Sequence, residues 1–510
     1  MSFLFDNLAP MAVALVASIM VWLFGGARGG LLVPVVPWLF VLLVEILFFF
    51  PQRRQGEMSI MARERVRRDL RKDPLTWLSF GFLVLLLIPF VNNGLCPICD
   101  YQRIAQGVDP NPPVPFIPFC VDRLDHLNVV LWFATALPAM LLVKHGLTRA
   151  GKRLVIEMIV WNGTAAAVLG FIQGATGAQG PYWTALPPSK NAVDFFSTFG
   201  YPNMGGDYFT TLFGLSLALW RHHVEVVRQD LKLKDVSHLA GNSRGLFWRK
   251  HYFLIPAVIC FYAAINTLSR AAIILATLTA VIYFLHTFIS FLSRLPRVRR
   301  VMIGAWSLLG LGLVVFFSLT FMPENLQREV GTLNSNEILT RVTGKGQYHV
   351  EIATEVWKDH KVFGCGGWGY LHFCVPKMVE LKKDLSQLQV IGGINVHNDY
   401  LQFLAEHGIV GFGILVALVV LLVWPIGREW RKLARDTRFM KGRDLPPKPV
   451  QIFVLPAPVF FILVTVLATL IHAFGDCPLR SAAVLTLFFI SLAAMPGFMP
   501  RRAHHGNGKV

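Results

Sequence analysis

Twelve apolar runs of about 17–25 residues recur along the chain. They lie at roughly 9–24, 31–50, 75–91, 126–143, 154–172, 204–220, 252–269, 271–293, 301–321, 399–424, 451–471 and 479–497. Runs of that length are what α-helices need to cross the hydrocarbon core of a bilayer. They predict an all-α polytopic membrane protein of about twelve transmembrane helices. Composition agrees, with 54% hydrophobic residues and a mean hydropathy of +0.52. The first run has no basic segment before it and no A-x-A cleavage site, so it reads as a retained span and not as a signal peptide.

The net charge of +18 would suit a nucleic-acid binder, but its placement argues against that partner. With the N-terminus inside and the spans alternating, 34 of the 48 Lys and Arg fall in inner segments. Of the 14 left outside, 8 lie in one long loop, 322–396. Long loops contribute little to orientation, so the short-loop contrast is 34 against 6. This is the positive-inside bias. The charge records topology and contact with membrane lipids, and nucleic acid is not an expected partner. Four segments follow: N-terminal spans with a basic inner loop and a Cys/Pro-rich outer loop (1–190), central spans (191–321), a large helical outer loop (322–398), and C-terminal spans with an inner tail (399–510).

Six of the seven cysteines, all but Cys260, fall outside in this topology, and none is in a basic inner loop. An oxidising exterior such as the periplasm permits disulfides. Cys365 with Cys374 is one expected bridge, and Cys96, Cys99 and Cys120 form a cluster able to supply another. C-P-I-C at 96–99 has no second C-x-x-C or histidine pair near it, which favours a structural role over zinc or redox chemistry. No H-E-x-x-H, D-x-D or paired metal-ligand motif occurs outside, so neither a metal nor another cofactor is expected.

Several polar positions stand out at the outer ends of spans. F-G-Y-P-N-M-G-G-D-Y ends the loop before the sixth run, where Asn203 or Asp207 is placed to cap a helix. Arg270 sits between two apolar runs with almost no loop, one turn after Asn266 on the same helical face. Two readings of Arg270 stand: a side chain snorkelling to headgroups, or a planar cation fixed for a phosphate. Loop 322–396 carries eight basic and eight acidic residues, so topology does not explain its charge. It contains Arg341 and Lys345, a helical stretch near 347–360 and the glycine-rich F-G-C-G-G-W-G-Y. It leads directly into N-V-H-N-D-Y-L-Q-F-L-A-E-H-G-I-V-G at 395–411, a polar head on a long apolar helix pattern that ends near Trp424. His397 at that mouth reads as a helix-capping histidine or as a general base. His472, Asp476 and Arg480 are spaced by four around the last outer turn, where Pro478 interrupts a helix; a charge cluster and a simple capped turn both fit.

H-N-D-Y-L-Q-F-L-A-E-H-G-I-V-G resembles the signature of the O-antigen ligase and polymerase family, approximately H-N-x-x-L-x-x-x-x-E-x-G-x-x-G. His397, Asn398, Leu401, Glu406, Gly408 and Gly411 match. W-K-D-H-K-V-F-G-C-G-G-W-G-Y is similar to that family's D-x-P-x-x-G-x-G stretch, with Lys361 in place of the usual proline. S-R-A-A-I-I at 269–274 resembles its S-R-G motif, and F-G-Y-P-N its F-x-N-P-N. The resemblance runs from about residue 195 to 490. The family's second loop arginine lies a few residues before a tryptophan; here Arg341 and Lys345 compete for its role and no tryptophan follows at that distance. Arg341 is preferred because only a guanidinium binds phosphate oxygens in bidentate fashion.

The resemblance implies a metal-independent membrane glycosyltransferase of the bacterial cytoplasmic membrane, with its active site on the periplasmic side. It would move a glycan from an undecaprenyl-diphosphate donor to a glycan or lipid acceptor. His397 would be the general base, and a helix N-terminus would keep its imidazole neutral. Arg270 and Arg341, or Lys345, would hold the diphosphate. Asn398, Asp399, Glu406, Asn203 and Asp476 are supporting positions, with Asp399, Gln402 and Glu406 as a stripe that holds the helix against the bundle. A ligase onto lipid A–core, a polymerase and a ligase onto protein all fit. A twelve-span transporter is the rival from another class, although no repeat relates the halves and the 322–396 loop has no counterpart in the first half.

Overall fold

The computed structural model describes residues 2–26, 29–92, 114, 116–184, 195–233, 248–292, 346–381, 383, 395–440 and 455–499. The described chain is helical, with one isolated antiparallel bridge between Phe196 and Phe199. In chain order the helices are α1 (Ser2–Trp22), α2 (Val36–Phe49), α3 (Ser59–Lys72), α4 (Pro74–Leu87), α5 (Arg123–Leu141), α6 (Arg149–Ala175) and α7 (Pro202–Leu233). They continue with α8 (Leu254–Asn266), α9 (Arg270–Leu292), α10 (Gly346–Asp359), α11 (Gly369–Glu380), α12 (Asp399–Met440), α13 (Ala457–Gly475) and α14 (Ala482–Ala494).

Six described helical segments are long and apolar enough to cross a membrane: Pro74–Val91, Arg123–Gly146, Arg149–Ala175, Arg270–Leu292, Asp399–Lys432 and Ala457–Gly475. Asn7–Trp22, Val36–Phe49 and Ala482–Phe498 are apolar but shorter. The run expected over 301–321 lies outside the described residues, as do Arg341, Lys345, Cys96 and Cys99.

Helix starts follow local chemistry. Asp73 accepts from the Leu75 N–H ahead of α4, with Pro74 at its first position; proline there loses no hydrogen bond. Asp122 accepts from the N–H groups of Leu124 and Asp125 at the start of α5. Thr148 and Ser481 cap α6 and α14 in the same way. α14 (A-A-V-L-T-L-F-F-I-S-L-A-A) is apolar on every face, and every one of its residues is buried. A helix of that kind belongs at the centre of a bundle, and α14 packs against α1, α5, α6, α7, α12 and α13.

α4 separates the two ends of the bundle. At its start, Asp73 pairs with Lys144 and His145. Nearby, Arg65 of the basic helix α3 pairs with Glu57 and donates to the carbonyls of Gln52 and His145. At the far end, the Asn92 amide donates to the carbonyls of Val114, Ile117 and Pro118, and the Cys120 thiol donates to Pro89 O. A second, smaller core stands at this end: Phe119 and Val121 with Ile352, Ala353 and Val356 of α10, Tyr370 and Phe373 of α11, Val396 just before α12 and Ala405 within it.

The sequence pattern predicts one continuous helix after residue 399. The structure breaks it at Gly408, whose backbone lies at φ 62°, ψ −173°. Around the break, four backbone groups of α12 pair with residues 361–366. The N–H groups of Ile409 and Val410 donate to the carbonyls of Lys361 and Val362. The N–H groups of Cys365 and Gly366 donate to the carbonyls of Ala405 and Glu406. A Cβ on Gly408 would lie 2.2 Å from Val362 O, and one on Gly364 (φ +75°) would lie 2.3 Å from the Glu406 carbonyl carbon. Both glycines are required by sterics on two counts, sign of φ and closeness of backbone.

The expected Cys365–Cys374 bridge is not formed. Cys120, Cys365 and Cys374 are buried free thiols. Cys374 directs its thiol at Tyr370 Oη, 3.6 Å away, Cys365 lies under Gly369, and Cys120 is held at Pro89. Each fills a small apolar space.

Gly408→Ala should therefore destabilise the protein by on the order of 1–3 kcal/mol from backbone conformation alone, with more from the clash. Gly413→Ala, with nothing within 4 Å of its added methyl, should be neutral or mildly stabilising. Thermal unfolding of both variants in detergent checks the contrast; equal midpoints would contradict the interlock.

Candidate functional site

His397 lies just outside the N-terminus of α12. Asn398 is the cap, accepting from the Leu401 N–H at 3.1 Å. His397 itself takes a left-handed backbone, φ 54°, which costs a non-glycine residue energy and recurs at functional positions. That conformation turns the ring toward the loop between α13 and α14. Nδ1 comes to 3.5 Å from Asp476 Oδ1, the long limit of a hydrogen bond. The His397 side chain is 37% exposed and the Asp476 side chain 11%, so the pair is buried on the carboxylate side and open on the imidazole side.

Asp476 is held from several directions. Tyr201 Oη donates to Oδ1 at 2.9 Å, the Cys477 N–H at 2.7 Å and the Cys477 thiol at 3.3 Å. The Asn203 amide donates to Oδ2 and also contacts Tyr201 Oη at 3.1 Å. Burial pushes the Asp476 carboxyl up, but His397, the nearby His472 and the Cys477 N–H together bring it below the usual carboxylate range. In return, the hydrogen bond that His397 donates to Asp476 raises the imidazole above its ordinary value against the opposing effect of burial. The expectation that a helix N-terminus would suppress the imidazolium is thus reversed. His397 precedes the cap, and its nearest charge is a carboxylate.

The turn between α13 and α14 is docked onto the head of α12 at two further points. Asp399 accepts from the Leu479 N–H at 2.8 Å. Arg480 pairs with Glu406 at 2.8 Å, with side-chain exposures of 1% and 0%. The Arg480 guanidinium lies over Trp368, 4.2 Å from the ring centroid, and 5.6 Å from that of Trp132. Cation–π contact of this kind compensates part of the desolvation of a buried cation. Gln402 links the stripe, donating to Glu406 Oε1 at 3.1 Å. His472, Asp476 and Arg480 therefore do not share a helix face. α13 ends at Gly475 and Asp476 is extended, so the three side chains go to three partners: Asp207, His397 and Glu406.

Neither Asn203 nor Asp207 caps α7. Asn203 faces Asp476, and Asp207 accepts from His472 Nδ1 at 3.1 Å and Thr469 Oγ1 at 3.0 Å. Both tie α7 to α13. Asn266 and Arg270 are also not on one continuous helix. Asn266 ends α8 and donates to Tyr262 O; Leu268 then adopts φ 56°, and α9 starts at Arg270. This turn packs on α7: a Cβ on Gly206 would meet Ala272, Thr267 and Ser269. Gly206 is three residues from Asn203, so the half-buried Arg270 is carried to the end of the bundle that holds Asp476. A half-open cavity of about 460 Å³ adjoins the same turn, lined by Gly170, Phe171, Gly174, Phe196, Asn266 and Leu268 among others.

Sequence reasoning missed Tyr201, Cys477 and His349. Tyr201 stood inside F-G-Y-P-N and Cys477 next to Asp476, so both had a local signal. His349 had none; its ring is 6.1 Å from that of His397, and its Nδ1 is 2.8 Å from Tyr370 Oη.

Glu406→Ala should leave Arg480 buried without its anion and cost ~3–5 kcal/mol, whereas Glu406→Gln retains an acceptor and should cost less. The order of their unfolding midpoints in detergent checks this; identical midpoints to the parent would contradict the pairing.

Residues 255–416 match the family model described as O-antigen ligase. No curated protein matches the chain. The matched stretch runs from α8 through the break in α12. It contains Arg270, the 361–366 segment, His397, Glu406 and Gly408, while Asn203, Asp476 and Arg480 lie outside it. By that match the chain carries the domain of the O-antigen ligase family over residues 255–416.

Proposed function

We propose that this chain is a membrane glycosyltransferase that moves a glycan from an undecaprenyl-diphosphate carrier to an acceptor hydroxyl, with His397 as general base oriented by Asp476. The observation that carries this reading is the His397–Asp476 pair. With Nδ1 directed at the carboxylate, Nε2 presents its lone pair to the open side. An acceptor hydroxyl there gives its proton to Nε2 as its oxygen attacks the anomeric carbon. The bond from that carbon to the diphosphate oxygen breaks, and the carrier leaves as the diphosphate. Asp476 fixes the tautomer and stabilises the imidazolium that forms. Proton removal by a positioned base is worth ~10²–10⁴ in rate.

The leaving group suits the other features of this end. Arg270 is a permanent cation at the start of α9, able to meet diphosphate oxygens and the charge that develops on them. Arg341, or Lys345, is the proposed second cation. The cavity beside the Arg270 turn, lined by small and aromatic residues, suits a polyprenyl chain entering from the lipid side. The basic helix α3 and the Lys144–His145 turn support reading the opposite end as the cytoplasmic one, by the positive-inside bias. His397 then faces the periplasm across the cytoplasmic membrane, where carrier-linked glycans meet lipid or glycan acceptors. Between ligase and polymerase we favour the ligase.

His397→Ala in purified protein should abolish transfer from a lipid-linked oligosaccharide while the folded protein still binds donor. Asp476→Asn should lower the rate by on the order of 10²-fold. Arg270→Ala should weaken donor affinity. A near-parental rate for His397→Ala would overturn the base assignment, and unchanged donor affinity in Arg270→Ala would overturn the diphosphate contact. In a strain lacking the gene, loss of long chains from lipid A–core with carrier-linked polymer retained identifies a ligase; single repeat units identify a polymerase.

A further inference from the structure

We propose that His397, Asp476 and Cys477 form a binding site for a thiophilic divalent cation, with Zn²⁺ the fitting ion, and that its occupation switches transfer off. His397 Nδ1, a carboxylate oxygen of Asp476 and Cys477 Sγ all lie within 4.8 Å of one another. Two of the three already converge on one atom: Asp476 Oδ1 faces Nδ1 at 3.5 Å and the thiol at 3.3 Å. One imidazole nitrogen, one carboxylate oxygen and one thiolate make a ligand set of the borderline-soft kind that Zn²⁺ takes, whereas Mg²⁺ and Ca²⁺ prefer all-oxygen sites. Three protein ligands leave a fourth position for water.

The surroundings are those of a prepared site. The Asp476 carboxylate is held by Tyr201, Asn203 and the Cys477 N–H, and outer partners that orient a ligand raise affinity for the ion. Binding also balances chemically. The thiol proton leaves to solvent as the Zn–S bond forms, and the imidazole proton moves from Nδ1 to Nε2 as Nδ1 takes the metal. That second shift has a consequence for the reaction. With its proton on Nε2, the imidazole has no lone pair for the acceptor hydroxyl. The inhibition rests on the base assignment proposed above; the binding does not.

Co²⁺ is the probe for binding, because thiolate ligation gives a ligand-to-metal charge-transfer band in the near ultraviolet. The experiment uses reduced, untagged full chain in detergent with His504 and His505 changed to Ala, so that the tail contributes no ligands. One equivalent of Co²⁺ should give the band, Zn²⁺ should displace it, and Cys477→Ser should abolish it while unfolding at a parental midpoint. Asp476→Asn should weaken Zn²⁺ binding by about tenfold or more. Absence of the band, or an equal band in Cys477→Ser, overturns the site. In the transfer assay, Cys477→Ser should need at least about tenfold more Zn²⁺ for half inhibition, measured against its own metal-free rate. A Cys477-dependent band with no inhibition by Zn²⁺ would overturn the switch and the base assignment but leave the cation site standing.

Discussion

Four backbone hydrogen bonds across the break at Gly408 carry the architecture of the site end. A helix interrupted inside a protein exposes N–H and C=O groups that cost energy unless they are paired. Residues 361–366 pair them, and in doing so they stop being a loop. The segment becomes the fixed floor for α11, for Trp368 and for the small core around Phe119 and Tyr370. Gly367 N–H extends the attachment to His126 of α5. Gly364 and Gly408 permit the contact because no side chain fits between the two backbones.

Onto this joint the turn between α13 and α14 is fastened by charge. Arg480 and Glu406 would each be costly alone in the interior, and their pairing under two tryptophans makes the burial tolerable. The turn cannot shift without separating them or the Asp399 contact to Leu479 N–H. Asp476 sits between these anchors and the α7 contacts of Tyr201 and Asn203. The carboxylate that faces His397 thus inherits its position from α7, α12 and α13 together.

Much of this was legible in the sequence, and for identifiable reasons. Apolar runs as long as Arg149–Ala175 or Ala457–Gly475 announce themselves by length. The motif around His397 drew attention to that residue and to Asn398 as a supporting position, but not to Asn398 as the helix cap. The break at Gly408 did not announce itself, because a lone glycine in an apolar helical pattern reads the same whether the helix continues or stops. What decides it is a backbone segment more than forty residues earlier. The Asp476 partnership was hidden in the same way. The spacing of His472, Asp476 and Arg480, with Pro478 interrupting the helix, fitted a charge cluster and a simple capped turn alike, and an extended Asp476 sends the three side chains in different directions. Arg480 counted as an ordinary short-loop cation in the topology, and only the fold shows it turned inward to Glu406. The cysteines misled by composition: an oxidising compartment permits bridges, yet local packing gives Cys365 and Cys374 separate places.

A membrane helix follows its bilayer, tilting when the hydrocarbon layer thins or thickens. Were α12 a single rod, each such tilt would swing its end through an arc and take His397 away from Asp476. The interruption at Gly408 works as a mechanical joint. Below it, the apolar shaft is free to answer the lipid; above it, the nine-residue head is bolted to the 361–366 segment and the Arg480 turn. The geometry at His397 is thereby insulated from changes in membrane thickness.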